Sequence, residues 1–149
     1  MAAIRRHAEI EWSGTLANGQ GNLTSQSGSL DDAVMTLPTR LGSPEGKTSP
    51  EELLASAHAG CFCMSIVGAL NSAGTPADRT TIACEVTMDM VDGKGFRIVS
   101  SQLTVRVSAS GLDEAGLGSA VATAHQGCGF SWLLRDSGAL VEIDHALES

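Results

Sequence analysis

The sequence predicts an α+β domain in which antiparallel sheets surround one long buried helix. Strand-like and helix-like patterns follow one another as strands, a long helix, a hairpin, two more helices and a final strand. This order lacks the repeated strand–helix–strand alternation from which parallel α/β folds are built. A chain of 149 residues has room for one ordinary core, so we expect a single domain over residues 1–149.

The first part of the chain is predicted to form three short strands and a loop. Residues 4–13 place apolar side chains on one face, residues 22–30 form a polar strand, and residues 33–37 form a short third strand. Residues 38–48 are rich in Pro, Gly and Ser, which favour turns and loops. We therefore expect Arg40 to lie in a loop just before the long helix.

The long helix has clear start and stop signals. Ser49 is a suitable N-cap, Pro50 is a favourable first helical residue, and Glu51 suits the positive end of the helix dipole. The pattern runs to about Ser72, before a glycine and a proline that stop a helix. Residues 53–70 carry no formal charge but contain a histidine and many small residues. This composition favours a core helix of a soluble protein over a membrane span.

The rest of the chain is predicted to form a hairpin, two helices and a last strand. Apolar residues at every second position indicate a strand over residues 81–91, and a glycine-containing turn follows it. The returning strand is expected over residues 96–108, with a bulge near Ser100. Two helices are expected over residues 112–126 and 128–135, and the last strand over residues 139–146.

Charge and composition exclude several classes of partner. The formal net charge is −8, and aromatic residues make up 3% of the chain. Nucleic acids and anionic membranes need a basic face, and base stacking needs aromatic side chains, so neither partner is expected. Four cysteines are too sparse for a secreted disulfide scaffold, and the chain begins without an apolar leader pattern. We therefore expect a reducing, cytoplasmic setting.

Two of the cysteines lie three residues after a histidine. His58 and Cys61, together with His125 and Cys128, could supply two imidazoles and two thiolates to a tetrahedral zinc ion. Alternatively, the histidines are ordinary core or surface residues. A Cys–His hydrolase using His58 as its base is a third hypothesis, but the sequence indicates no group to orient that base. A non-catalytic binding domain is also compatible with the composition.

Redox chemistry of the thiols is the hypothesis with more support. Cys61 lies among small residues that leave room for a substrate, but a mid-helix thiol needs a nearby cation to react, and Arg40 is the best candidate. Cys128 precedes a predicted helix, where exposed amides favour a thiolate. The two thiols suit a peroxidatic and a resolving cysteine, whereas Cys63 and Cys84 are expected to be packing residues.

Two segments resemble the signature of the OsmC/Ohr family, which comprises osmotically inducible protein C and the organic hydroperoxide resistance proteins. The first is Thr48–Phe62, with the sequence TSPEELLASAHAGCF, and the second is Ala124–Cys128, with the sequence AHQGC. The order of the predicted elements also fits, so the resemblance covers essentially the whole chain. The Thr-Arg pair that ends at Arg40 resembles the OsmC branch more than the Ohr branch.

The resemblance implies an OsmC-like fold and an intertwined homodimer with two active sites at its interface. It also implies a thiol-dependent peroxidase that reduces organic hydroperoxides in defence against oxidative or osmotic stress. By the match, Cys61 is the peroxidatic thiol and Cys128 the resolving thiol. Arg40 would hold the thiolate and bind the peroxide, and Glu51 would orient Arg40. An external dithiol or lipoyl-type reductant would complete the cycle without a bound cofactor or metal. One departure is Gly129, where the family usually has proline.

Helix geometry adds a constraint to these roles. Glu51 and Cys61 are ten residues apart, which is about 15 Å along a straight helix. They could not meet at one site within a single helix unless it kinks, for example at Gly60. We therefore expect Glu51, together with Arg40, to reach the Cys61 of the partner subunit.

Overall fold

The computed structural model describes all residues, 1–149, and contains six strands and four helices. The chain divides into two compact units, Met1–Pro50 and Glu51–Ser149. In chain order the elements are β1 (Ala8–Ser13), β2 (Gln20–Ser25), β3 (Ala33–Met35), α1 (Leu37–Leu41), α2 (Pro50–Ser72), β4 (Arg79–Val91), β5 (Gly95–Ser108), α3 (Glu114–Gly127), α4 (Gly129–Asp136) and β6 (Leu140–Leu147).

The first unit is a three-stranded antiparallel sheet followed by the short helix α1. The strand order is β1-β2-β3, and Leu23 of β2 is the buried apolar residue of this sheet. Helix α1 begins at Leu37, the last residue of the predicted third strand, and covers residues 38–41 of the segment predicted to be a loop, so the loop prediction was wrong for four residues. The Thr36 hydroxyl accepts the backbone N–H of Thr39 at 3.3 Å and caps the helix. A single turn is too short to produce an apolar period, which explains the error.

Helix α2 spans the predicted residues and opens the second unit. Its fully buried side chains form one stripe with four-residue spacing, composed of His58, Phe62, Ile66 and Leu70. In a single chain the other sides of α2 are partly accessible, and Met64 is 74% exposed. Small apolar residues on all sides of a helix do not by themselves identify the packed face. By length and hydropathy α2 could also cross a membrane, a criterion that core helices of soluble proteins also meet.

The second unit contains a three-stranded sheet in the order β4-β5-β6. Strands β4 and β5 form the predicted hairpin, and Thr87 pairs with Ser100 whereas Met88 pairs with Ile98. Val99 is thus the extra residue of a bulge, next to the predicted position. Strand β6 pairs in parallel with β5, whereas we predicted antiparallel sheets. In the sequence, helices α3 and α4 lie between β5 and β6, and they form the long crossover connection that a parallel pair requires.

The core of the second unit forms between the sheet and the three helices. Leu103, Val105 and Val107 alternate along β5 and are fully buried on one face. They join the buried stripe of α2 and the apolar face of α3 in one cluster, which also includes Cys128. This core fixes where α2 meets the start of α4.

Candidate active site

Cys128 forms the junction between α3 and α4. Its backbone N–H donates to the carbonyl of Ala124 at 2.8 Å and closes α3, while its sulfur accepts the backbone N–H of Ser131 at 3.4 Å and caps α4. The side chain is fully buried. A thiol is a weaker acceptor than the usual capping oxygens, so this cap is weaker than one made by Ser, Thr, Asp or Asn.

Cys61 lies on α2 beside the start of α4, and both thiols are reduced. Burial raises the pKa of Cys61, and the hydrogen bond from the Phe130 backbone N–H acts in the opposite direction. The neighbouring Cys128 thiol raises the pKa further, and the N–H of Gly129 lowers it. The structure therefore brings the two predicted thiols together, with amides from the first turn of α4 directed at Cys61.

The predicted charged residues lie on other elements. Arg40 is in the last turn of α1, in the first unit. It lines a pocket of about 200 Å³ whose other walls are mostly apolar, composed of Ile10, Trp12, Leu16, Met35, Thr36, Leu37 and Pro50. Glu51 is in the first turn of α2, ten residues before Cys61 on the same continuous helix. The roles of Arg40 and Glu51 stay predictions.

A buried polar cluster lies one helical turn from Cys61. His58 is fully buried, and its two ring nitrogens bond to serine hydroxyls, Nδ1 to Ser101 at 2.7 Å and Nε2 to Ser131 at 2.8 Å. The sulfur of Cys84 lies 3.3 Å from the Ser101 oxygen. Burial, and secondarily the proximity of His125, lowers the pKa of His58, which favours the neutral ring. The serines are 43 and 73 residues away along the chain, so no local sequence signal points to them.

The arrangement does not fit the zinc hypothesis or the hydrolase hypothesis. Both nitrogens of His58 are hydrogen-bonded, which leaves no lone pair free for a metal ion. No group of three or more His, Cys, Asp or Glu side chains is positioned to hold a metal. The partners of His58 are serines and a thiol, not a carboxylate that could orient it as a base.

The two remaining cysteines differ in their surroundings. Cys84 packs against the core and contacts Ser101, and burial raises its pKa, as expected for an inert packing thiol. Cys63 is half-buried on α2. The packing role predicted for Cys84 is confirmed, and that predicted for Cys63 stays a prediction.

Comparisons with known proteins agree with this architecture. Residues 42–144 match the family described as OsmC-like protein. The chain is 33% identical over 147 residues to the peroxiredoxin OsmC of Escherichia coli, covering 98% of this chain and 99% of that protein. It is 32% identical over 123 residues to the organic hydroperoxide resistance protein of Xanthomonas axonopodis pv. citri, covering 78% of this chain and 81% of the relative. The crystal structure of an organic hydroperoxide resistance protein OsmC from Legionella pneumophila superimposes with a TM-score of 0.72 at 24% identity, over the whole of both chains.

Proposed function

Because this chain belongs to the family of OsmC-like proteins, we propose that it is a thiol-dependent peroxidase that reduces organic hydroperoxides to alcohols. The names of its relatives, a peroxiredoxin and an organic hydroperoxide resistance protein, support this class of activity. The observation that carries the mechanism is the meeting of Cys61 and Cys128 at the start of α4. Two reduced thiols in contact, one of them facing helix-terminal amides, are what a peroxidatic and a resolving cysteine require.

In the first step, the thiolate of Cys61 attacks the terminal oxygen of the hydroperoxide ROOH. The O–O bond breaks, the sulfur becomes a sulfenic acid, and the alcohol ROH leaves after taking up a proton. The N–H groups of Phe130 and Gly129 favour the thiolate, but burial still raises the pKa of Cys61 on balance. A positive charge is needed to overcome this, and we assign it to Arg40, with Glu51 as the residue that orients the guanidinium.

In the second step, the Cys128 thiol condenses with the sulfenic acid of Cys61. A disulfide forms and one water molecule leaves, so that Cys61 is protected from further oxidation. An external dithiol, or a lipoyl-type dithiol, then reduces the disulfide by thiol–disulfide exchange and is itself oxidised to a disulfide. The cycle needs no bound cofactor.

The assembly is proposed to be a homodimer in the cytoplasm. Much of α2 outside its buried stripe is accessible to solvent in a single chain. Since residues 53–70 carry no charge, this accessible helix surface is largely uncharged. A second copy would cover such a surface, and apolar faces of this kind are typical of obligate interfaces. In this arrangement Glu51 and Arg40 serve the Cys61 of the partner subunit, since one straight α2 separates Glu51 from its own Cys61 by about 15 Å.

The proposal is tested by adding cumene hydroperoxide and a dithiol to wild type, Cys61→Ser and Cys128→Ser. We expect consumption to be abolished in Cys61→Ser, and Cys128→Ser to react once without forming an intramolecular disulfide. Mass spectrometry after one equivalent of peroxide identifies the disulfide and the oxidised sulfur. Equal consumption by wild type and Cys61→Ser would refute the peroxidase. A Cys128→Ser variant that turns over like wild type would remove Cys128 from the mechanism.

A further inference from the structure

The buried cluster around His58 is placed so that it connects the two thiol-bearing helices. His58 precedes Cys61 by three residues on α2, and Ser131 follows Cys128 by three residues on α4. Residues three apart on a helix share a face, so the hydrogen bond between His58 and Ser131 runs beside the meeting point of the two thiols. This is the polar side-chain bond that joins α2 to the first turn of α4.

The other side of the ring anchors the cluster to the sheet. The His58 Nδ1 atom bonds to Ser101 on β5, whose oxygen also contacts the sulfur of Cys84 on β4. A neutral imidazole has one donor and one acceptor nitrogen, so one serine hydroxyl donates to the ring and the other accepts from it. Whichever tautomer forms, both nitrogens are satisfied, and the ring is held in one orientation at full burial.

The start of α4 is hydrogen-bonded to this cluster. Ser131 is fully buried, its hydroxyl bonds to His58, and its backbone N–H donates to the sulfur of Cys128. One residue therefore links the ring and the resolving thiol. The same helical turn presents the N–H groups of Gly129 and Phe130 to Cys61.

We propose that His58 is a positioning residue, which holds the first turn of α4 against α2 through Ser131 so that Cys128 and the α4 amides stay at Cys61. The effect of this positioning on disulfide formation rests on the proposed peroxidase function. The effect of this positioning on the pKa of the Cys61 thiol does not rest on that function, because the amide contacts exist in the reduced protein before any peroxide is present. The titratable and charged groups at the cluster in this unit are His125 and Cys84 beside the ring, Cys128, whose sulfur accepts the N–H of Ser131, and Arg135, which donates to the Ser131 carbonyl at 3.3 Å.

The test compares Ser131→Ala with Ser137→Ala. Ser137 lies at the opposite end of α4, where its hydroxyl donates to the carbonyl of Leu134, so this control also loses one hydroxyl bond on the same helix. The first readout is the pH profile of Cys61 alkylation by iodoacetamide, followed on the Cys61 peptide by mass spectrometry. In Ser131→Ala we expect a higher apparent pKa and an alkylation rate at pH 7 about threefold to tenfold lower, because the amide bonds to the thiolate loosen.

The second readout is the rate of disulfide formation after one equivalent of cumene hydroperoxide. Ser131→Ala is expected to form the Cys61–Cys128 disulfide several-fold more slowly and to accumulate sulfinic acid at Cys61. Ser137→Ala is expected to match wild type in both readouts. Ser101→Ala, which removes the more distant partner of the ring, is expected to lie between the two.

A folded Ser131→Ala variant with wild-type alkylation and wild-type disulfide formation would overturn the proposal, as would equal effects of Ser131→Ala and Ser137→Ala. Circular dichroism and the melting temperature establish folding. If Ser131→Ala does not fold, His58→Phe makes the same test, since phenylalanine keeps a ring at this position but has no nitrogen to bond to Ser131. If the wild type does not consume peroxide, the proposed function fails, and the alkylation profile still decides the role of His58.

Discussion

Cys61 and Cys128 meet at one place but are held by different kinds of structure. Cys61 lies in the middle of a 23-residue helix, half-buried, with its sulfur free to accept hydrogen bonds from another element. Cys128 is fully buried at a helix junction, and its sulfur already caps α4. A thiol on a rigid helix suits the attack on a substrate. A thiol at a junction can change its position by loosening one helical turn, which suits resolution.

After the complete loss expected in Cys61→Ser, the largest effect is expected from removing the charge of Arg40. If the guanidinium stabilises the thiolate of Cys61, Arg40→Met should lower kcat/KM for cumene hydroperoxide about a hundredfold. It should also raise the apparent pKa of Cys61 alkylation. Steady-state peroxide consumption and the alkylation profile measure the two effects. The control is Arg79→Met, which removes an exposed arginine paired with Glu148. Similar losses in both variants would contradict a specific role for Arg40.

Gly129→Pro sharpens the comparison at the start of α4. Proline has no N–H, so one of the amides that lower the pKa of Cys61 is lost, and we expect that pKa to rise. The extended backbone of Cys128, with φ −79° and ψ 112°, is compatible with a following proline. The fixed φ of proline stabilises the turn whereas the lost N–H contact to Cys61 destabilises it, so we expect the free energy of unfolding to change by less than about 1 kcal/mol.

The matched comparison for this variant is Gly129→Ala, which keeps the N–H and whose added Cβ meets no atom within 4 Å. Its effect on the pKa of Cys61 should be the smaller of the two. The alkylation profile and urea denaturation are the measurements. An equal pKa rise in both variants would assign the effect to the loss of glycine and not to the loss of the amide.

The neutral ring of His58 predicts a pH dependence of stability. Its pKa is lowered in the folded protein from the ordinary value of 6.5, so below pH 6.5 the unfolded chain binds a proton that the folded chain does not. The stability that depends on a neutral His58 is complete above pH 6.5. It is lost as the pH falls from 6.5 toward the lowered folded value, by at most about 1.4 kcal/mol per pH unit.

Urea denaturation between pH 7.5 and 5 measures this dependence. His58→Gln should flatten the curve, because glutamine does not titrate in this range. His125 also has a pKa lowered by burial, so a residual slope is expected in His58→Gln. An unchanged slope in a folded His58→Gln would show that His58 is not the group that titrates.

The smallest effect is expected at Cys63. It lies two residues from Cys61, which places its side chain on another face of α2. Cys63→Ser should retain peroxide consumption within about twofold of wild type. The same assay on Cys61→Ser gives the contrast between two thiols on one helix. A loss of peroxide consumption in Cys63→Ser comparable with that in Cys61→Ser would contradict the assignment of the chemistry to Cys61 and Cys128.

Elements with strong local signals were predicted well. Helix α2 runs over the predicted residues because Pro50 favours its start and Gly74, with φ +79°, lies in the left-handed conformation that ends helices. The alternation along β4 and the junction at Cys128 are also local, and the structure confirms both. Helix α1 was missed because its cap, Thr36, precedes only five helical residues.

Features that join distant segments of the chain could not be predicted from local sequence patterns. The parallel pairing of β6 with β5 depends on how α3 and α4 pack, and alternation along a strand carries no direction. The burial of His58 could not be separated from an ordinary core position, because its partners Ser101 and Ser131 lie far away in the sequence.

The amino-acid sequence alone was enough to establish the family and the α+β class and to predict Cys61 and Cys128 as the redox pair, because the helix signals, the strand alternation and the cysteine-bearing motifs are local. The tertiary structure was needed to show that the first turn of α4 meets Cys61 and that a buried histidine ties this turn to α2. The physical reason is that hydrogen-bond partners of buried polar groups are set by packing between elements, which no local period in the chain encodes.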